Sequence, residues 1–301
     1  MFGTARAFSD PASHALLPFL MPPLQLPRAI AWNSTVWQMA RIAGPALGGF
    51  AYALGPDFAY SLCGFGFLAS MLAVATLSGR RAAPADPATL ADRIARVGEG
   101  ICFIRTQPII LGAISLDLFA VLLGGSTALL PIYASDILHV GPVGLGLLRS
   151  APAVGACLIA LVQARRPPDR GVGRQLFAAV ALFGLATLAF AFSTSFMLSL
   201  AALFVMGASD IVSVNIRSSL VQLATPDGVR GRVSAVNMLF IGASNELGEF
   251  ESGVAAALLG TVPAVVLGGF GTLLVAAIWI RLFPALWRAD RLISVAPAEA
   301  D

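Results

Sequence analysis

Apolar residues run through this chain in blocks of roughly 20, and the short stretches between them gather most of the charge. The blocks fall at 1–20, 29–54, 58–77, 108–134, 142–164, 175–193, 195–224, 233–258 and 262–283, the first of them cut short. Each complete block is long enough to cross a bilayer as a helix. The pattern therefore predicts an all-α integral membrane protein with about nine transmembrane helices. One connection, 78–107, has a pattern of its own. After a stretch rich in Pro and Ala, Leu90, Ile94, Val97, Ile101 and Ile104 recur at alternating spacings of four and three, with Asp92, Arg93, Arg96 and Glu99 on the other face. This predicts an amphipathic helix on the cytoplasmic surface, linking two groups of spanning helices.

The pattern also repeats. ALLPFLMPPLQLPRAIAWN, ending at Asn33, matches SLVQLATPDGVRGRVSAVN, ending at Asn237, at an offset of about 204 residues. At that offset Pro22 meets Pro226, Arg28 meets Arg232, Gly44 meets Gly248 and Gly49 meets Gly253. A period this long marks duplicated halves, the layout of many secondary transporters. Met1 aligns with Val205, inside an apolar block, so the alignment implies a start within a helix and about 100 residues absent before it. The expected division is a remnant of an N-terminal bundle at 1–77, the linker at 78–107, a six-helix bundle at 108–287 and a tail at 288–301.

Composition excludes a soluble domain. Mean hydropathy is +0.84, and 12% of residues are charged, against about a quarter in soluble domains. All 19 basic residues are Arg, scattered between apolar blocks rather than gathered into a patch, so nucleic acid is not an expected partner. They set orientation instead. Arg80, Arg81, Arg93, Arg96 and Arg105 share one connection, Arg165, Arg166, Arg170 and Arg174 another, and Arg230 and Arg232 a third, while the alternate connections carry none. By the positive-inside rule these loops and the C-terminus face the cytoplasm of a multi-pass inner or plasma-membrane protein. Cys63, Cys102 and Cys157 lack metal or redox spacing, and no cofactor is expected. The sequence lacks HExxH, GxSxG and P-loop motifs, which leaves a membrane enzyme without support. The expected partners are lipid, a small-molecule substrate and protons, with the chain acting as a monomer.

Ionisable side chains at membrane depth are candidates for function because hydrocarbon excludes them. Asp210 and Arg217 lie two helical turns apart on one face of the 195–224 block, with Asn215 close by. In SNELGEFESG, Asn245, Glu249 and Ser252 share a stripe that Glu246 flanks, about 20 Å from the cytoplasmic end. Glu251 points elsewhere. Two carboxylates at i and i+3 resist joint ionisation in a low dielectric, which would suit Glu246 and Glu249 to proton coupling. The equal alternative is a structural network of Glu246, Glu249 and Arg217. Asp117, about 13 Å into its helix, is expected to pair with an arginine of a neighbouring helix. Arg41 and Arg149 either line a cavity or serve as partners to these acids. Near the start, Arg6, Asp10 and His14 share one face, and His14 is read as satisfied by Asp10. His139 is read as a solvated loop residue.

In ARIAGPALGGF, Gly44, Gly48 and Gly49 with Pro45 remove bulk and bend the helix, which invites another backbone to pack closely. Gly44-Pro45-Ala46-Leu47-Gly48-Gly49 resembles the core of the fifth-helix motif of major facilitator superfamily antiporters, with Ala31 and Ala40 in place of its upstream glycines. ARAFSDPASHALLP, ISLDLFAVLLGGSTALLPIYA and SNELGEFESGVAAALLG resemble the branch that holds the enterobactin exporter and related bacterial efflux proteins. Asp169-Arg170-Gly171-Val172-Gly173-Arg174 is similar to a loose copy of the superfamily's cytoplasmic motif. The resemblance implies a major facilitator fold lacking helices 1–3 and part of 4. It further implies a central cavity, alternating access and proton-coupled export of a small siderophore-like or drug-like molecule. Asp210, Arg217, Asn245, Glu246, Glu249, Asp117 and Arg41 are the expected pathway residues. The alternative is a truncated membrane protein that inserts but does not transport.

Overall fold

The computed structural model describes residues 36, 40, 43–76, 90–166, 168 and 170–291. Arg6, Asp10, His14, the first copy of the repeat, Arg41, Arg80, Arg81 and Asp169 lie outside them. The described residues form helices and no strands. A helical stretch at 43–53 precedes α1 (Pro56–Ala75), α2 (Leu90–Thr106), α3 (Pro108–Leu123), α4 (Pro142–Arg165), α5 (Val172–Ala191), α6 (Phe196–Leu223), α7 (Asp227–Leu259), α8 (Thr261–Leu282) and the single turn α9 (Pro284–Trp287). Proline opens α1, α3, α4 and α9, where its missing N–H costs no hydrogen bond and its fixed φ suits the first turn.

Six segments among the described residues are long and apolar enough to cross a membrane: Pro56–Ala75, Pro108–Ile137, Pro142–Arg165, Val172–Ala191, Phe196–Leu223 and Thr261–Leu282. Helix α7, at 33 residues and about 50 Å, is longer than any of them but is not one of the six. It carries Arg230, Arg232, Glu246, Glu249 and Glu251. It also begins at Asp227, six positions before the apolar block, because the charged first turns continue the helix beyond the apolar zone.

The block expected to be continuous over 108–134 is broken. Helix α3 ends at Leu123, Gly124 and Gly125 interrupt it, and a 3-10 turn (Ser126–Leu129), one α-turn (Leu130–Ile132) and a π-turn (Tyr133–Ile137) carry it on. The break is covered by protein, as membrane-depth backbone requires. Thr272 Oγ1 of α8 donates to the Ala120 carbonyl at 3.3 Å, and Gly248 of α7 lies against the Val121 and Leu122 carbonyls, 2.9 and 3.1 Å from where its Cβ would sit.

Helix α6 packs between α4 and α5, α8 packs on α5 and α3, and α7 packs on α3, α8 and α2. Small residues set the closest crossing. A Cβ on Gly207 would run into the Pro152 carbonyl, and one on Gly155 into the Phe204 carbonyl, so α4 and α6 approach backbone to backbone. Asn215 Nδ2 then donates to Gln163 Oε1 across this interface at 2.6 Å. The amphipathic helix α2 docks through Val97, Gly100, Phe103 and Ile104 against the start of α7, and Glu99 meets Arg232 at 2.8 Å. Ile101, expected on the buried face, is exposed. Gly100 takes the contact instead, because it lets the α7 backbone come close. Helix α5 starts earlier than its apolar block. Gly171 turns the chain at φ 62, and its N–H donates to Asp290 Oδ1 at 3.0 Å, so the segment after α9 caps α5.

Candidate functional site

Helix α6 turns Ser213, Ile216, Arg217 and Leu220 inward, a stripe at i, i+3, i+4 and i+7. This rotation buries a guanidinium in the helix bundle. Arg217 meets Asp117 of α3, and the two side chains keep 5% and 12% of their surface. Asp117 thus pairs with an arginine of a neighbouring helix. The ion pair of Arg217 goes to this acid and not to Glu246 or Glu249, which removes the alternative network that joined those three. A desolvated pair of this kind holds together because either charge alone would be more costly. Arg217 Nε is buried with no hydrogen-bond acceptor among the described residues, so one donor remains open to water or to a ligand.

Beside this pair lies a narrow cleft of about 20 Å³ between α3, α5 and α6, room for about one water, lined by Asp117, Ala120, Val121, Ala179, Val180, Phe183, Ser209, Asp210 and Ser213. Asp210 is on its exposed side and Asp117 on its buried side. Ser209 donates to the Val205 and Met206 carbonyls, both at 2.9 Å, which leaves its oxygen to face the cleft as an acceptor. Two carboxylates and two hydroxyls therefore border one small, mainly apolar space with an arginine behind it.

The acids of α7 stand apart from that cleft. Ser244, Gly248 and Ser252 form the buried stripe of α7, and Gly125 of the α3 break packs on Gly248 and Ser252. Asn245, Glu246, Glu249 and Glu251 are exposed, and neither described cleft includes them. Of the predicted pathway residues, the structure gathers Asp117, Asp210 and Arg217. It places Asn245, Glu246 and Glu249 on a second surface, and Arg41 lies outside the described residues.

A larger opening of about 540 Å³ lies between the 43–53 helix, α4 and the turns after α3. Gly49 is the point of closest approach, since its Cβ would come within 2.5 Å of the Pro142 carbonyl and 3.0 Å of Gly146 Cα. A Cβ on Gly44 or Gly48 would meet nothing within 4 Å, and both line the opening with Pro45 and Arg149. The motif thus does two things: Gly49 admits a neighbouring backbone, and Gly44 and Gly48 leave space. The sequence singles out Arg149 as a cation at depth but not this cleft, which arises from the crossing of two distant segments.

Residues 1–299 match the transmembrane secretion effector family of the major facilitator superfamily. The chain belongs to that family. No curated protein matches it. It is a multi-pass membrane transporter, and the family points away from an enzyme. In a transporter, a buried ion pair bordering a cleft can exchange partners. A proton on Asp117, or an anion beside Arg217, weakens the pair at a point where three helices meet.

Proposed function

We propose that the transporter is a proton-coupled exporter that works by alternating access in the inner or plasma membrane, with its C-terminus in the cytoplasm. Its cargo is a small siderophore-like or drug-like organic molecule, in keeping with the likeness to the enterobactin-exporter branch. The observation that carries this reading is the buried Asp117–Arg217 pair with Asp210 on the same cleft. A proton arriving through Asp210 neutralises Asp117 and frees Arg217, and loss of the proton restores the pair. Each cycle thus has two electrostatic states, as a coupled carrier needs. In this reading Asn245, Glu246 and Glu249 on α7, and Arg41 in the earlier half, line the substrate's route, where carboxylates three residues apart favour sharing a proton.

Everted membrane vesicles test this. With an acid interior generated by respiration and followed with a pH-sensitive dye, a transported compound releases protons from the lumen. A catecholate and ethidium serve as probes for the two cargo classes. The expected result is dequenching by one of them with the native transporter and none with Asp210→Asn or Asp117→Asn. Equal proton release from both variants and the native transporter would refute coupling through this cleft.

A further inference from the structure

We propose that the cleft between the 43–53 helix and α4 binds an amphiphilic anion, with its acid group on Arg149 and its apolar body along Gly44, Pro45 and Gly48. The inference rests on the transporter reading and adds the chemical class of the ligand.

Charge makes the first argument. Arg149 is the one ionisable group among the described lining residues apart from Tyr52, and no acid belongs to that lining. It lies seven residues into α4, about 10 Å from the Pro142 end, and it is exposed to the cleft. No ion pair to Arg149 is present among the described residues. A guanidinium with no counter-charge among the described residues is unfavourable at this depth in an apolar setting, and an anion offsets that cost. Its planar fork also matches a carboxylate, sulfonate or phosphate oxygen pair. The acid next to the lining, Asp136, takes a hydrogen bond from Ser135 Oγ at 2.6 Å.

Shape makes the second. The opening, at about 540 Å³, accommodates a drug-sized body, for which pockets run to roughly 300–1,000 Å³. Its walls include Val140, Leu145 and Pro142, and the two glycines at 44 and 48 present bare backbone with open space above it. An apolar chain or ring system fits such a surface, whereas a small hydrophilic anion would leave it wet and unpaired. A cation or neutral drug would leave Arg149 without its counter-charge.

Fluorescence binding of 11-(dansylamino)undecanoic acid and of its methyl ester to the full chain in phosphatidylcholine nanodiscs tests the proposal. The native chain is expected to bind the acid more tightly than the ester. Arg149→Ala should weaken the acid by about tenfold or more and leave the ester unchanged, and Arg149→Lys should retain part of the preference. Gly48→Leu, which fills the space, should weaken both. Phosphatidylglycerol added to the discs either displaces the probe, marking a membrane lipid as the source of the anion, or leaves it bound, marking a soluble amphiphile; both support the anion site. Equal binding of acid and ester by the native chain, or full acid affinity in Arg149→Ala, would overturn it. No proton gradient is involved, so failure of coupling in the vesicle assay leaves this result intact, and the reverse also holds.

Discussion

Asp117 and Arg217 are each visible in the sequence as charges in apolar blocks, but their pairing is not. Several acids lie within reach on paper, and the choice depends on how far α3 and α6 rotate about their axes. The stripe of Ser213, Ile216 and Leu220 fixes that rotation for Arg217. Breaking a buried pair should cost about 3–5 kcal/mol, whereas replacing both partners with apolar residues removes the uncompensated charge. Thermal unfolding in detergent is therefore expected to show Asp117→Leu and Arg217→Met each strongly destabilised, with the double variant more stable than either. A double variant as unstable as the sum of the two would speak against direct pairing. The exposed Glu99–Arg232 contact belongs to another regime. Glu99→Ala should shift stability by less than about 1 kcal/mol in the same measurement.

At the level of elements, six of the nine apolar blocks coincide with described segments long and apolar enough to cross a membrane, because desolvation of a whole helix is an additive property of its sequence. Local interruptions were harder to see. The Gly124–Gly125 break in α3 is stable only because α7 and α8 cover it, and nothing within α3 encodes those neighbours. The docking face of α2 shifted for a similar reason: apolar spacing favours Ile101, but closeness to α7 favours Gly100. Glycine substitutions separate the two kinds of position. Gly207→Ala should destabilise strongly, since its Cβ collides with the Pro152 backbone, while Gly98→Ala on α2 meets open space and should add up to about 1 kcal/mol of helix stability. Thermal shifts of the two variants should have opposite signs. The resemblance groups the acids of α7 with Asp210 on one pathway, but position along a helix says nothing about which side of α3 they occupy.

On the scale of the whole molecule, the membrane class and the transporter family were both legible, the first from composition and the second from motifs spread along the chain, and the family match over residues 1–299 agrees with them. The candidate site was legible as a set of residues but not as a place, because its cleft is assembled from α3, α5 and α6. The central claim is that protons moving through that cleft are coupled to export of the substrate. Purified transporter in liposomes carrying an internal pH dye measures this most directly, with a catecholate and ethidium added outside in turn. The account predicts that one of them drives proton movement across the membrane, that an imposed pH gradient drives its accumulation in return, and that Asp210→Asn abolishes both. Substrate accumulation that proceeds unchanged in Asp210→Asn and Asp117→Asn, with no proton movement in any of the proteins, would contradict it.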